Sequence, residues 1–174
     1  MRHTLTELIA LRSGLGQTDP PCCVPQTQLN ALCAQFGERL AIVACPCNQF
    51  GNQENVNGEE IYSSLMHIRP GNGYTPNFPL AKRLEVNGAG AHDLFKFLRF
   101  ALPERSDTGF AAEADAPIGV QKSALKVGWT PSNPTDIVWN FEKFLLDCQG
   151  KPIRRYSPKF ETIKLTDEIS ALLG

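Results

Sequence analysis

Leu40-Ala41-Ile42-Val43-Ala44-Cys45-Pro46-Cys47-Asn48-Gln49-Phe50-Gly51-Asn52-Gln53-Glu54 joins two kinds of chain in fifteen residues. The first six form an unbroken apolar run closed by Pro46, the pattern of a strand buried on both faces. A polar loop dense in carboxamides follows. A buried strand that releases amides and a carboxylate at its C-terminal edge puts them where α/β proteins hold their chemistry. Read alone, such a loop also fits an ordinary solvated turn.

The pattern continues on both sides of this stretch. Upstream, Leu29, Leu32 and Cys33 fall at i, i+3 and i+4 and predict a helix over 28–36 that ends at Gly37. Downstream, Glu59 and Glu60 open a helix carrying Ile61, Leu65 and Ile68, which Pro70 stops. Residues 70–79 are a Gly-, Asn- and Pro-rich loop, 84–86 a short strand and 91–102 a helix stopped by Pro103. Residues 103–134 lack periodicity and predict a long surface excursion. Strands over 137–146 and 152–156 flank Asp147-Cys148-Gln149-Gly150, a hairpin turn with a glycine available for positive φ. Thr166 is expected as the N-cap of a last helix, with Ile169, Leu172 and Leu173 facing inward. Helices mixed with strands argue an α/β or α+β fold around one sheet. Residues 1–26 stand apart: five Gly and Pro positions leave only 5–11, a Leu-rich stretch expected as a helical turn or two.

Composition bounds the function. With 174 residues, 42% of them hydrophobic and 20% charged, the chain is one domain's worth of globular protein. A formal net charge of -1 gives no global field to recruit nucleic acid or an anionic membrane. No stretch approaches the roughly 20 apolar residues of a membrane helix. Thr4, Thr6 and Glu7 interrupt any apolar leader, so a reducing, cytoplasmic setting is expected. Six cysteines are too few and scattered for a disulfide framework, and the C-C and C-x-C spacings of Cys22, Cys23, Cys45 and Cys47 are unusual for zinc, so no metal is expected. Gly88-Ala89-Gly90 is read as a tight turn, because a dinucleotide fingerprint would need glycine where Asp93 stands.

A second segment, Trp139-Asn140-Phe141-Glu142-Lys143-Phe144, sets indole and carboxamide donors side by side where a strand begins. A Trp in that place also fits simple core packing. Taken with Gln53, the two segments supply neutral N–H donors without an acid or base. Such donors suit stabilisation of a thiolate or selenolate.

Pro46-Cys47-Asn48-Gln49-Phe50-Gly51-x-Gln53-Glu54 followed by Trp139-Asn140-Phe141-x-Lys143-Phe144 resembles the glutathione peroxidase family. The resemblance continues through Arg69-Pro70-Gly71-Asn72-Gly73, Glu85-Val86-Asn87-Gly88 and Pro152-Ile153-Arg154-Arg155-Tyr156-Ser157. It implies a thioredoxin-like α/β fold over 27–174 and reduction of hydrogen peroxide and organic hydroperoxides by glutathione, in the setting of oxidative stress. No bound cofactor is implied, glutathione being the reducing co-substrate. It further implies a catalytic selenocysteine or cysteine with Gln53, Trp139 and Asn140. Arg69 is implied as a glutathione contact, and Lys159 keeps one of two basic positions that tetrameric relatives often carry, Pro158 taking the other. The Arg-Pro-Gly-x-Gly loop resembles the tetrameric branch, so a homotetramer is expected.

The resemblance breaks upstream of residue 27. The family signature Asn-Val-Ala-Ser-x-selenocysteine-Gly is absent, and its peroxidatic position falls near Asp19. Cys22 and Cys23 are weak substitutes among Pro20, Pro21 and Pro25. The expectations are therefore that N-terminal strands are missing, that the sheet has a gap beside 40–45 and 137–146, and that 1–26 is poorly structured. Little turnover is expected of the chain as written, a non-catalytic thioredoxin-like module being the alternative.

Overall fold

A computed structural model of the chain describes residues 6–12, 24–108 and 128–174. Four strands, β1 (Thr6–Arg12), β2 (Leu40–Pro46), β3 (Lys143–Leu146) and β4 (Pro152–Tyr156), form one sheet in the order β2-β1-β3-β4. β1 runs parallel to β2, with Thr6 opposite Leu40 and Arg12 opposite Pro46, and antiparallel to β3, with Ala10 opposite Lys143. β3 and β4 are antiparallel across the turn at 147–150, where Gly150 takes φ 75°. The helices are α1 (Val24–Phe36), α2 (Glu59–His67), α3 (Asp93–Ala101) and α4 (Thr166–Leu173).

Helices cover both faces of the sheet, which is why β2 has no polar side. Side chains alternate along a strand: Leu40, Ile42 and Ala44 of β2 and Leu145 of β3 pack with Leu29, Leu32 and Phe36 of α1 and with Ile169 of α4. Cys45, Phe144 and Leu146 join Phe95 and Leu98 of α3 on the other face. The 70–79 loop is fastened to α1 mainly around Asn30, with Tyr74 Oη also donating to the Gln26 carbonyl at 2.9 Å. Asn30 Nδ2 donates to the Thr75 carbonyl at 2.9 Å, and its Oδ1 accepts from the Asn77 amide at 3.0 Å.

The structure corrects several expectations. The place expected to be vacant is filled by β1, so the sheet has its middle strand. The stretch expected as helical turns is extended because β2 and β3 would each present unpaired N–H and C=O groups at that position, and seven residues of β1 answer both. α1 starts at Val24, four residues before the helix start expected at 28. Residues 137–142 are not strand; β3 begins only at Lys143. Residues 84–86 form no named strand: an isolated bridge pairs Ala44 with Leu80 instead, and Leu84 only donates its amide to the Pro46 carbonyl at 3.0 Å. Thr166 is the first residue of α4 rather than its cap: its hydroxyl donates back to the Ile163 carbonyl at 2.7 Å. The excursion at 103–134 lies for the most part outside the described residues.

Candidate active site

Strand directions alone bring the two segments together. β2 leaves the sheet at Pro46 and β3 enters it at Lys143; β1, parallel to one and antiparallel to the other, puts both points at one edge. Its own C-terminal residue, Arg12, lies at the same edge opposite Pro46.

At that edge Asn140 Nδ2 donates to Gln53 Oε1 at 3.0 Å, across 87 positions of sequence. The Trp139 ring lies beside them: a Cβ on Gly51 would sit 3.6 Å from both the Trp139 ring and Gln53 Nε2. Gly51 holds φ 65° and Asn52 φ 51°, so the loop makes a left-handed bend that glycine and asparagine tolerate. Phe50, almost fully buried, floors the site, with its ring centroid 5.8 Å from that of Trp139 and 5.6 Å from that of Trp129.

The other half of the site rests on a strained residue. Phe141 has φ 65°, an outlier for a bulky side chain. The bend there turns Asn140 toward Gln53 before the chain straightens into β3. It is held because the next residue, Glu142, is fully buried and committed: its carboxylate accepts from the Val138 amide at 2.8 Å, from Arg155 Nε at 2.7 Å and from Arg105 at 3.4 Å.

Chemically this is a cluster of neutral donors. Gln53 uses its carbonyl on Asn140, so what it can offer an anion is N–H. Asn140 is 2% exposed, and its Oδ1 has no hydrogen-bond partner among the described residues. Burial disfavours the thiolate of three of the four described thiols. Burial pushes Cys45 up to about 12, with Cys47 adding to the rise, and pushes Cys47 up to about 11 against the Gln49 and Val86 amides that lower it. Burial also raises Cys33, while Cys148 is exposed in the hairpin turn. Cys22, Cys23 and Asp19 lie outside the described residues.

Of the five residues singled out in the sequence, the structure gathers Gln53, Trp139 and Asn140. Arg69 is half-buried just beyond α2, its amide donating to the Ser64 carbonyl at 2.9 Å, and Lys159 is exposed in the turn after β4. Sequence reasoning missed Gln49 and Asn87, whose carboxamides brace the site from behind. Their signal was available: both lie in segments that carry the family resemblance.

The family model for glutathione peroxidase matches residues 20–99. Glutathione peroxidase 1 of Macaca fuscata fuscata is 49% identical over 149 residues, 85% of this chain and 70% of that protein. The chain belongs to the glutathione peroxidase family. The glutathione peroxidase of Molluscum contagiosum virus subtype 1 is 47% identical over 148 residues, 84% of this chain and 64% of that protein. Two crystal structures share the fold: Trgpx in apo form, with TM-score 0.59 and 21% identity over 97% of this chain and 80% of that one, and T. cruzi GPX1, with 0.58 and 22% over 98% and 82%. The fold is thioredoxin-like. The family match begins at residue 20, earlier than the 27 expected, and so takes in Cys22 and Cys23.

Proposed function

We propose that the chain reduces hydrogen peroxide and organic hydroperoxides with glutathione, and that Gln53, Trp139 and Asn140 stabilise the anion of the attacking residue. The hydrogen bond between Gln53 and Asn140 carries this reading, since it joins remote segments into one donor cluster. A thiolate attacks the distal peroxide oxygen, the O–O bond breaks, and the alcohol leaves with a proton while the sulfur becomes a sulfenic acid. One glutathione thiol condenses with that acid and releases water; a second displaces the enzyme thiol and leaves as glutathione disulfide. Arg69 and Lys159 are the cations offered to glutathione carboxylates.

Cys22 or Cys23 is the attacking residue on this reading: Cys45 and Cys47 are buried with the thiol form favoured, Cys33 packs in the α1 core, and Cys148 lies in the turn at the opposite end of β3 from the donors. Both follow β1, which ends at the edge where the donors gather. The experiment is a glutathione-reductase-coupled assay on the purified, reduced chain beside Cys22→Ser and Cys23→Ser. Turnover abolished by one substitution supports the reading. No turnover in the parent chain overturns it in favour of a non-catalytic thioredoxin-like module. A homotetramer in a reducing cytoplasm is part of the same proposal, resting on the Arg69–Gly73 resemblance; sedimentation of a monomer at micromolar concentration counts against it.

A further inference from the structure

We propose that Gln49 and Asn87 are positioning residues that couple the two halves of the site through consecutive carboxamide clasps. The proposal rests on the reading of Gln53, Trp139 and Asn140 as the donor cluster. Gln49 Oε1 accepts from the amides of Val86 at 2.8 Å and Asn87 at 3.0 Å, and its Nε2 donates to the Asn87 carbonyl at 3.0 Å. Asn87 repeats the move one step on. Its Nδ2 donates to the Ile137 carbonyl at 2.8 Å, and its Oδ1 accepts from the Ile137 amide at 3.0 Å.

In each clasp a side-chain amide stands in for the peptide of a neighbouring strand, exchanging both bonds with one backbone residue as in an antiparallel pair. Asn87 and Ile137 are both fully buried, so water does not replace a lost partner. The chain of contacts runs from Gln49, in the loop that bears Gln53, through Asn87 to Ile137, in the segment that bears Trp139 and Asn140. On its far side that segment is anchored by the Val138 amide on Glu142. Trp139 and Asn140 thus hang between two fixed points, one of them set by the loop that holds their partner.

The distinguishing consequence is action at a distance: Gln49 is not bonded to Ile137, yet its loss should loosen Ile137. Amide hydrogen exchange followed by NMR reads this in Gln49→Ala, with Ile169→Val in the opposite face of the core as a general destabilisation control. Exchange at Val86 and Asn87 should rise directly in Gln49→Ala, and exchange at Ile137 should rise about tenfold relative to Leu145. The control should leave the Ile137-to-Leu145 ratio unchanged. Should Gln49→Ala not fold, Gln49→Glu carries the same comparison, because it keeps the acceptor for both amides and sets a carboxylate oxygen against the Asn87 carbonyl where the donor stood. An Ile137-to-Leu145 ratio unchanged from the parent, or raised equally by Ile169→Val, overturns the coupling. A parent chain without turnover would instead strike the site reading and leave the exchange result standing.

Discussion

Two polar regions flank residues 136–143, and they are built on opposite principles. On one side lies the amide cluster of Gln53, Asn140, Gln49 and Asn87, with no net charge. On the other lies an ionic cluster. Buried Glu142 meets Arg155 and Arg105, and Asp136 pairs with Arg99 while accepting from the Trp129 indole at 2.8 Å. Arg155, fully buried, also donates to the carbonyls of Leu102, Pro103, Thr135 and Asp136, so all three nitrogens of its guanidinium are engaged. The charges fasten the framework. On the proposed reading, the neutral amides offer a developing anion donors whose dipoles are already oriented.

The largest expected effect tests the ionic side. Glu142→Ala strands two buried guanidinium groups and should cost about 3–5 kcal/mol in urea unfolding. A loss under about 1 kcal/mol would mean that the charges relax to solvent and that the contrast between the regions is false. Asn140→Ala should behave conversely. If the parent chain turns over peroxide, kcat/KM should fall about 100-fold through loss of one donor to the anion. An unchanged rate would remove Asn140 from the site.

A third prediction uses pH. Lys143 is 1% exposed, donates to the Ser157 and Phe160 carbonyls, and is lowered by burial from 10.5 to about 8, with Asp107 and Glu142 opposing. Between about pH 8 and 10.5 the unfolded chain therefore binds more protons at this lysine, and its contribution to stability grows with pH. Cys45 and Cys47 work the other way. Their folded values lie above 9.0, so their stabilising contribution is full below that pH and declines above it, towards about 11 for Cys47 and about 12 for Cys45. Unfolding of Lys143→Met beside the parent isolates the lysine: the stability difference, parent minus variant, should increase across pH 8 to 10.5, and a flat difference would refute the burial argument. Smallest of all, Arg154→Ala breaks a solvent-exposed bridge to Glu168 and should shift stability by less than about 1 kcal/mol, against several for the buried pair.

The sequence showed the parts whose pattern is local. β2, α1 and α2 carry their periods on their faces, and Gln53, Trp139 and Asn140 stand inside long motifs. It concealed what depends on partners. Residues 5–11 look like helical turns until β2 and β3 are in place to pair 6–12 as a strand. Residues 137–142 look like strand because nothing local shows that Asn87 and Glu142 side chains take the backbone bonds a ladder would have used. The ionic cluster did leave a trace: Glu142, Lys143 and Arg155 are charged residues in or beside stretches otherwise patterned for burial.

The position of β1 also dictates an order of events during synthesis. β1 is bonded on one side to β2, thirty-four positions later, and on the other to β3, beyond residue 142. The ribosome therefore releases β1 well before β3, and one side of it stays unsatisfied until residues 143–146 have emerged. Such long-range closure is slow and exposes a sticky edge meanwhile. The same strand that completes the sheet is one a nascent chain must shelter until β3 arrives.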